Sequence, residues 1–227
     1  MNARLPLVLS LLITPALFAA DASPKETVLA AAAKLAAAPN YGWKAVVTVP
    51  ESARFRPGPT EGKTEKDGFT HVTWQFGDNT SEAVIKGEKA ALTNRDGDWQ
   101  SVSELENAEG PGRFLAMRAR GTKPPAATIP DLVKGVAELT MKDDAYVGDL
   151  SAESVREQFR FGEPKDPKGS VKFWIKDGML AKYEVKLSAM MEFNGEEFDA
   201  SRTTTTEIKD VGKTKVEVSA AAADKLK

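Results

Sequence analysis

The clearest alternation of apolar and polar positions lies between Ala181 and Phe193. The odd positions are apolar, whereas the even positions begin with lysine, glutamate, lysine and serine. Period-two alternation is typical of a strand that buries one of its faces. Asn194 and Gly195 follow, and this dipeptide favours a two-residue type I′ turn. Because the run then resumes as far as Ile208, the sequence predicts a long antiparallel hairpin.

A two-residue turn fixes the register of this hairpin. The pairs predicted on the apolar face are Met191 with Phe198, Ala189 with Ala200, Leu187 with Arg202, Val185 with Thr204, and Tyr183 with Thr206. On the other face Lys182 meets Glu207, so opposite charges lie across from each other. Apolar patterning and charge pairing thus favour the same register.

Ahead of the hairpin, a loop over residues 165–169 is predicted to lead into another strand. The apolar residues of this strand alternate: Val171, Phe173 and Ile175. For them to share a face with Ala181 and Tyr183, the connection at Asp177 and Gly178 must contain an odd number of residues. We therefore expect a three-residue turn with Gly178 in the left-handed conformation.

The N-terminal part of the pattern predicts a helix that runs directly into a strand. Ser23 suits the N-cap, Pro24 the first helical position and Glu26 the third. The alanine-rich run that follows ends at Ala38. The next strand has apolar residues at alternate positions: Trp43, Ala45, Val47 and Val49.

Proline, glycine and charged residues make 51–67 a predicted surface loop, either a mobile gate or a solvated connector. An antiparallel meander should follow, since short, turn-rich separators divide the predicted strands: 69–76, 81–86, 90–94 and 99–101.

The middle of the chain predicts a mixture of short elements. Helices are expected at 103–107, 112–120, 130–138 and from 151 to about 161, and strands at 139–141 and 146–150. After Val218 the chain is expected to form a short helix or a frayed end. No linker clearly divides the sequence, which favours one α+β domain over residues 23–227, with an antiparallel sheet and several short helices.

The composition and the N-terminal residues indicate where the protein is located and which partners are unexpected. The 227 residues carry a net charge of −2, so nucleic acid is not an expected partner. Arg4 and the apolar stretch after it predict a signal peptide over 1–22, with cleavage after Ala19 or Ala20 as alternatives. That stretch is too short to span a bilayer, and no cysteine is present for a disulfide or a lipid anchor. We expect a periplasmic or secreted protein without a stable membrane anchor.

Residues with catalytic or metal-binding potential are few. His71 is the only histidine, and it falls on the polar face of its predicted strand. It could act as a general base, or it could be an ordinary exposed strand residue. One histidine and no cysteine exclude the common zinc and copper ligand sets. Asn94, Asp96 and Asp98 resemble the opening of a calcium loop, but Trp99 replaces its glycine. No catalytic motif or cofactor loop is present, so we expect neither an enzyme nor a cofactor.

Basic and apolar residues interleave between Arg113 and Arg120. One interpretation is an amphipathic helix that meets an anionic lipid surface. The other is a helix whose apolar side covers the sheet while its arginines face water.

The order of the predicted elements resembles the LolA/LppX-like periplasmic carriers, and also exported proteins of similar plan. The closing stretch is similar to the last strand and exit of that superfamily: residues 202–213, RTTTTEIKDVGK, then Val216 and Val218. The resemblance implies a strongly curved, half-open antiparallel sheet with helices as a lid over an apolar cavity for acyl chains. Lipid-anchored members carry a cysteine at the cleavage site, and this sequence does not.

These observations lead to three functional hypotheses. The first is a carrier of a hydrophobic ligand, a lipid or a lipoprotein acyl chain. The candidate lining residues are Trp43, Val47, Trp74, Phe76, Phe114, Met117, Phe173, Tyr183, Val185, Leu187 and Met191. The second is an envelope module with a filled core that binds a protein partner through its outer sheet face or the 51–67 loop. The third is a hydrolase of unrecognised geometry.

Arg202 is the one candidate residue that is charged. Its predicted place opposite Leu187 puts a cation on an apolar face, where burial is costly without a partner. It should therefore pair with a carboxylate, reach solvent, or meet an anionic headgroup.

Overall fold

The structure is a computed structural model, which describes residues 22–53, 56–77, 79–94, 96–106, 111–159, 162–193 and 195–227. The side chains of Phe76, Pro111 and Phe193 are not described. The predicted signal peptide, apart from Ala22, and Asn194 of the predicted turn lie outside the described residues.

The helices are short, except for the first. They are α1 (Pro24–Ala37), α2 (Val102–Glu106), α3 (Pro111–Arg120), α4 (Pro125–Lys134), α5 (Ala152–Glu157) and α6 (Ala220–Asp224). The predicted start of α1 is confirmed: Glu26 N donates to the Ser23 hydroxyl, and Ser23 N donates to the Glu26 carboxylate at 2.8 Å. This capping box satisfies two amide groups that a helix leaves free at its N-terminus.

The strands form one antiparallel sheet. They are β1 (Asn40–Thr48), β2 (Thr60–Glu65), β3 (Thr70–Phe76), β4 (Asn79–Lys86), β5 (Lys89–Thr93), β6 (Trp99–Ser101), β7 (Thr140–Lys142), β8 (Ala145–Leu150), β9 (Lys165–Lys176), β10 (Met179–Phe193), β11 (Glu196–Asp199) and β12 (Arg202–Lys209). Their order is β6-β5-β4-β3-β2-β1-β12-β10-β9-β8-β7, and β11 pairs with β10 alone. The sheet is curved and not closed, so the predicted α+β class is confirmed.

The two faces of the sheet differ in composition. The inner face carries Trp43 and Phe173, which pack with residues of α1 and α4 such as Leu35 and Ile129. The helices α2 and α3 extend this core over β5. The outer face is polar near the middle of the sheet, while α6 packs against β5 and β6 at one side, where Ala91 is buried.

The predicted register of the long hairpin is confirmed. Tyr183 pairs with Thr206, Val185 with Thr204, Leu187 with Arg202 and Met191 with Phe198. Ala200 N donates to Ala189 O at 3.0 Å, and Lys182 pairs with Glu207. A register shifted by one residue would turn the apolar stripe to the outer face, which is why the pattern specifies it so strongly.

The connection that precedes the hairpin differs from the prediction. The turn contains two residues, Asp177 and Gly178, with φ of 53° and 70°, as in a type I′ turn. A register shift between Leu180 and Lys182 then supplies the extra residue as a β-bulge. Phe173 and Tyr183 still share the inner face, but through a bulge and not through a longer turn.

Two segments predicted as loops are strands. Residues 165–169 belong to β9, and β2 lies inside the predicted 51–67 loop, where it pairs with β1 and β3. Its sequence lacks large apolar residues because Gly62 lies beneath the Trp43 ring, which a Cβ at that position would strike. The tertiary partner explains a strand that has no apolar pattern of its own.

The helix predicted from Pro130 begins earlier. The structure places Pro130 inside α4, which starts at Pro125 and ends at Lys134. Helix α5 ends at Glu157, before the predicted 161, although its predicted cap Ser151 is confirmed. The remaining middle elements agree with the prediction to within about two residues, the usual uncertainty of boundaries.

Candidate functional site

The inner face loses its helical cover along the central strands. Tyr41 and Trp43 at the start of β1 are buried, whereas Ala45 and Val47 further along the same face are half-buried. Strand β12 repeats this change, from buried Thr206 to half-buried Thr204 and Arg202. Val47 and Thr204 are cross-strand partners. We call these four half-buried residues, Ala45, Val47, Thr204 and Arg202, the open strip.

Arg202 stands at the end of the open strip. Its guanidinium lies 4.6 Å from the centre of the Phe159 ring and donates to Gln158 O at 2.8 Å. Burial lowers the pKa of Arg202 below its ordinary value, yet a guanidinium stays charged in proteins. Among the described residues no carboxylate forms an ion pair with it. The structure therefore holds a desolvated positive charge at one end of an incompletely covered apolar surface.

A second arginine contacts the inner face from α3. Arg118 is half-buried, with its guanidinium 5.2 Å from the Trp74 ring centre and 3.4 Å from the Thr60 hydroxyl. The helix turns its small residues, Ala116 and Ala119, into the core. Consequently the interpretation in which the arginines of this helix face water is wrong for Arg118.

The other predicted residues of α3 lie on its exposed side. Phe114 is 49% exposed and Met117 38%, because the close approach of the helix to the sheet is filled by alanines. These two side chains form the exposed apolar surface of α3.

Most predicted lining residues are fully covered. Those with less than a tenth of their surface exposed are Trp43, Trp74, Phe173, Tyr183, Val185, Leu187 and Met191. Val47 is half-buried on the open strip, and Phe76 lies in β3 with its side chain outside the described part. The structure thus places Val47 and Arg202 on the open strip, Trp43, Trp74, Phe173 and Tyr183 in packed core, and Phe114 on an exposed helix surface.

The polar groups within this core are satisfied. Trp43 Nε1 donates to the Thr64 hydroxyl at 3.3 Å. The Tyr183 phenol lies near the hydroxyl groups of Thr206 and Thr128, and the Tyr41 phenol near Thr64 and the main chain of Ala126. Burial raises the pKa of Tyr41 to about 12 and also raises that of Tyr183. In the described part of the chain, no buried side-chain nitrogen or oxygen lacks a hydrogen-bond partner.

The residues considered for chemistry have structural roles. His71 Nε2 lies 2.9 Å from Glu82 Oε2 on the neighbouring strand β4. The Asn94 side chain accepts hydrogen bonds from the amides of Asp96 and Asp98, so it closes a turn and not a calcium loop. A search of the described residues finds no group of three or more histidine, cysteine, aspartate or glutamate side chains that could hold a metal ion.

Sequence reasoning did not select Phe159, Gln158 or Arg118. Phe159 and Gln158 were expected inside a helix. Because α5 ends at Glu157, these two residues lie in a turn, where they contact Arg202. The alternation of arginine with apolar residues indicated an amphipathic helix but not which arginine faces inward. None of the described helices is long and apolar enough to cross a membrane.

Known proteins resemble this chain in structure only. No family model matches the sequence, and no curated protein is significantly similar to it. The lipoprotein LppX from Mycobacterium tuberculosis shares 12% identity, with 84% of this chain and 98% of that one covered and a TM-score of 0.45. LprF from Mycobacterium bovis shares 11%, with 88% and 97% covered and a TM-score of 0.46.

A LolA superfamily protein from Nitrosomonas europaea shares 11% identity, with 86% of this chain and 96% of that one covered and a TM-score of 0.38. What this chain binds has to be inferred from its own contacts and charges.

Proposed function

We propose that this chain is a non-catalytic carrier of an anionic amphiphile, a lipid or an acyl chain with a charged end, in the cell envelope. The observation that carries the proposal is the half-buried guanidinium of Arg202, which no described carboxylate pairs, at the end of the open strip. A desolvated charge without a counter-charge is unfavourable, and an anionic group of a ligand would relieve that cost.

The apolar part of the ligand has a surface to occupy. Ala45 and Val47 are half-buried on the inner face, and Phe159, which contacts Arg202, packs only partly against the core. Covering apolar area stabilises a complex by about 25 cal/mol per Å² before the cost of association. An acyl chain along this surface would complete the cover that α1 and α4 give to the rest of the inner face.

The proposed location rests on the sequence. Residues 1–22 have the pattern of a cleaved signal peptide, and the mature chain has no cysteine for lipid attachment. We infer that the carrier is periplasmic or secreted and meets its ligand without an anchor of its own.

The first experiment identifies a ligand. The protein is purified from the envelope in which it is made, and native mass spectrometry and lipid extraction search for a bound amphiphile. Uptake of a fluorescent fatty acid provides an independent measurement. If no hydrophobic molecule co-purifies and the fatty acid does not bind, the carrier proposal is wrong.

A variant tests the role of the charge. Arg202→Met keeps an unbranched apolar stem without the charge and should fold, but it should weaken binding of an anionic amphiphile by roughly tenfold, the value of one charge-assisted contact. Arg202→Lys should retain part of the affinity. The matched control is Arg156→Met on the exposed side of α5, which removes the same charge without touching the strip. Equal effects of the Arg202 and Arg156 changes would remove Arg202 from the site.

A second candidate function is a protein-interaction module with a filled core. The complete burial of Trp74 and Phe173 favours it, since neither side chain offers an exposed surface to a ligand. Absence of any lipid together with a stable complex between the protein and an envelope protein would support this alternative.

A further inference from the structure

The outer face of the sheet contains a pocket that the proposed carrier function does not use. Its volume is about 530 Å³, within the usual range for small-molecule sites. The floor is at Gly42 of β1, and the segment that follows β12 crosses above it. Thr214 N donates to Asn40 Oδ1 at 2.7 Å and Gly212 N to Asn40 O at 2.8 Å, which fixes this crossing segment to the sheet.

The pairing of the strands places positively charged side chains on both sides of Gly42. Gly42 pairs with Lys209 on one side and with Lys63 on the other, and Lys63 pairs with His71. The two lysines therefore stand two strands apart, about 10 Å at the main chain, with no side chain between them. Lys213 approaches from the crossing segment.

The charges of the pocket do not balance. Glu61 is engaged by Lys44 at 2.9 Å, and Lys215 by Glu217 at 3.2 Å. The charge of Lys209 also helps to lower the pKa of Glu61. Lys63, Lys209 and Lys213 have no carboxylate of a described residue within ion-pair distance, and Asp210 is the second acidic group of the lining. Two positive charges remain in excess, and like charges within one concave site repel each other at short range.

The chemistry of the lining selects the kind of anion. Lysine ammonium groups act as point charges that suit phosphate, whereas planar recognition of a carboxylate favours arginine, which does not line this pocket. Thr73 and Thr214 add hydroxyl groups that donate hydrogen bonds to phosphate oxygens. The volume exceeds that of phosphate alone and leaves space for a small polar carrier.

We propose that this outer pocket binds a phosphate-bearing ligand through Lys63, Lys209 and Lys213, with the phosphate above Gly42. A phosphomonoester on a glycerol or sugar carries the two negative charges that match the excess. The same group occurs on soluble molecules and on lipid headgroups. Because the pocket and the open strip lie on opposite faces of the sheet, either proposal can fail without the other.

The experiment uses His71 as a reporter, since it is the only histidine and lines the pocket. The purified protein, made without a histidine tag, is titrated with glycerol 3-phosphate while NMR follows the imidazole signals. We expect a saturable shift. Lys63→Ala and Lys213→Ala should each weaken the affinity about tenfold, as loss of one charge-assisted contact does. Lys186→Ala, an exposed lysine on β10 outside the pocket, should change it less than twofold.

A second variant keeps every lysine. Gly42→Ala places a methyl group on the floor, where a Cβ lies 3.4 Å from Lys209 Cγ and 3.5 Å from Thr214 Oγ1, so it should weaken binding while thermal unfolding stays unchanged. Vesicles of phosphatidylcholine with and without phosphatidic acid distinguish the sources of phosphate. Lys63-dependent binding to phosphatidic acid alone assigns the pocket to a lipid headgroup. No response to either probe, or equal weakening by Lys186→Ala, overturns the proposal.

Discussion

The two ends of the inner face are built on the same strands but are covered differently. At the packed end, Trp43, Phe173 and Tyr183 lie beneath α1 and α4, and the Trp43 ring nitrogen donates to Thr64 within the protein. On the open strip, Val47 is half-buried and the Arg202 guanidinium rests on Phe159. The residue pattern of the strands continues through both ends. The difference shows that helices, and not strand composition, decide which part of the sheet is core and which part is available.

The largest effect should come from the packed end. Phe173→Ala removes a fully buried ring, and the cavity should lower the free energy of unfolding by about 3–5 kcal/mol, as measured by urea denaturation. Trp174→Ala on the opposite face of β9 is the control, since its half-buried ring contacts Lys182 and Asp144 and should cost less. Equal costs would mean that the inner face is not the better packed one.

The second largest effect should be a loss of folding stability at high pH, caused by Tyr41 at the packed end. The pKa of Tyr41 is about 12 in the folded protein and near 10 in the unfolded chain, because burial opposes the phenolate. The raised value contributes stability in full below about pH 10, and this contribution is lost as the pH rises through 12, to a total of about 3 kcal/mol. Urea unfolding across this range should show a steeper decline for the wild type than for Tyr41→Phe. Parallel pH profiles would contradict the desolvation of Tyr41.

A smaller loss of folding stability is expected from a substitution in β2, where this strand contacts Trp43 of the packed end. Gly62→Ala forces a methyl group into the Trp43 ring and should cost about 1–3 kcal/mol in thermal or urea unfolding, as overpacking does. Gly42→Ala, one strand away on the outer face, meets only ordinary contacts and should change stability by less than about 0.5 kcal/mol. A neutral Gly62→Ala would show that the ring of Trp43 can move.

The smallest change in stability should occur on the open strip. Val47→Trp widens the side chain into incompletely covered space and should alter the free energy of unfolding by less than about 1 kcal/mol. It should nevertheless reduce fatty-acid uptake, because the ring would occupy the surface proposed for the acyl chain. Val46→Trp, on the outer face and 45% exposed, is the matched control. Undiminished uptake with Val47→Trp would place the ligand elsewhere.

The sequence predicted the local features of the fold better than the non-local ones. The register from Tyr183–Thr206 to Met191–Phe198 followed from alternation and a dipeptide turn, which are both local signals. Strand β2 was missed because its position depends on Trp43, a distant residue that requires glycine opposite it. The bulge after Leu180 was missed because one extra residue is needed to keep the apolar side chains of both strands on one face. That residue can lie in the turn or in a strand, and the apolar pattern does not distinguish the two.

In the candidate site, too, local sequence signals were predictive and contacts between distant segments were not. Arg202 could be selected from its cross-strand partner Leu187, since a cation on an apolar face is unusual. Its contacts with Gln158 and Phe159 depend on where α5 ends, and the outer pocket depends on a crossing segment with no periodic signal. Sequence alone therefore identified a charged residue of interest, but not the surface around it.

The pairing of β1 with β12 has a consequence for how the molecule forms. The strands from β1 to β6 are sequential neighbours, as are those from β7 to β10, so each group can assemble from local hairpins. The seam that pairs Trp43 with Ile208 joins residues far apart in the sequence, and it closes only after both groups of strands are present. Such non-local pairing slows folding, because the entropy of a long loop is lost before its contacts form. In pulsed hydrogen exchange during refolding, the amides of this seam should be the last of the sheet to gain protection.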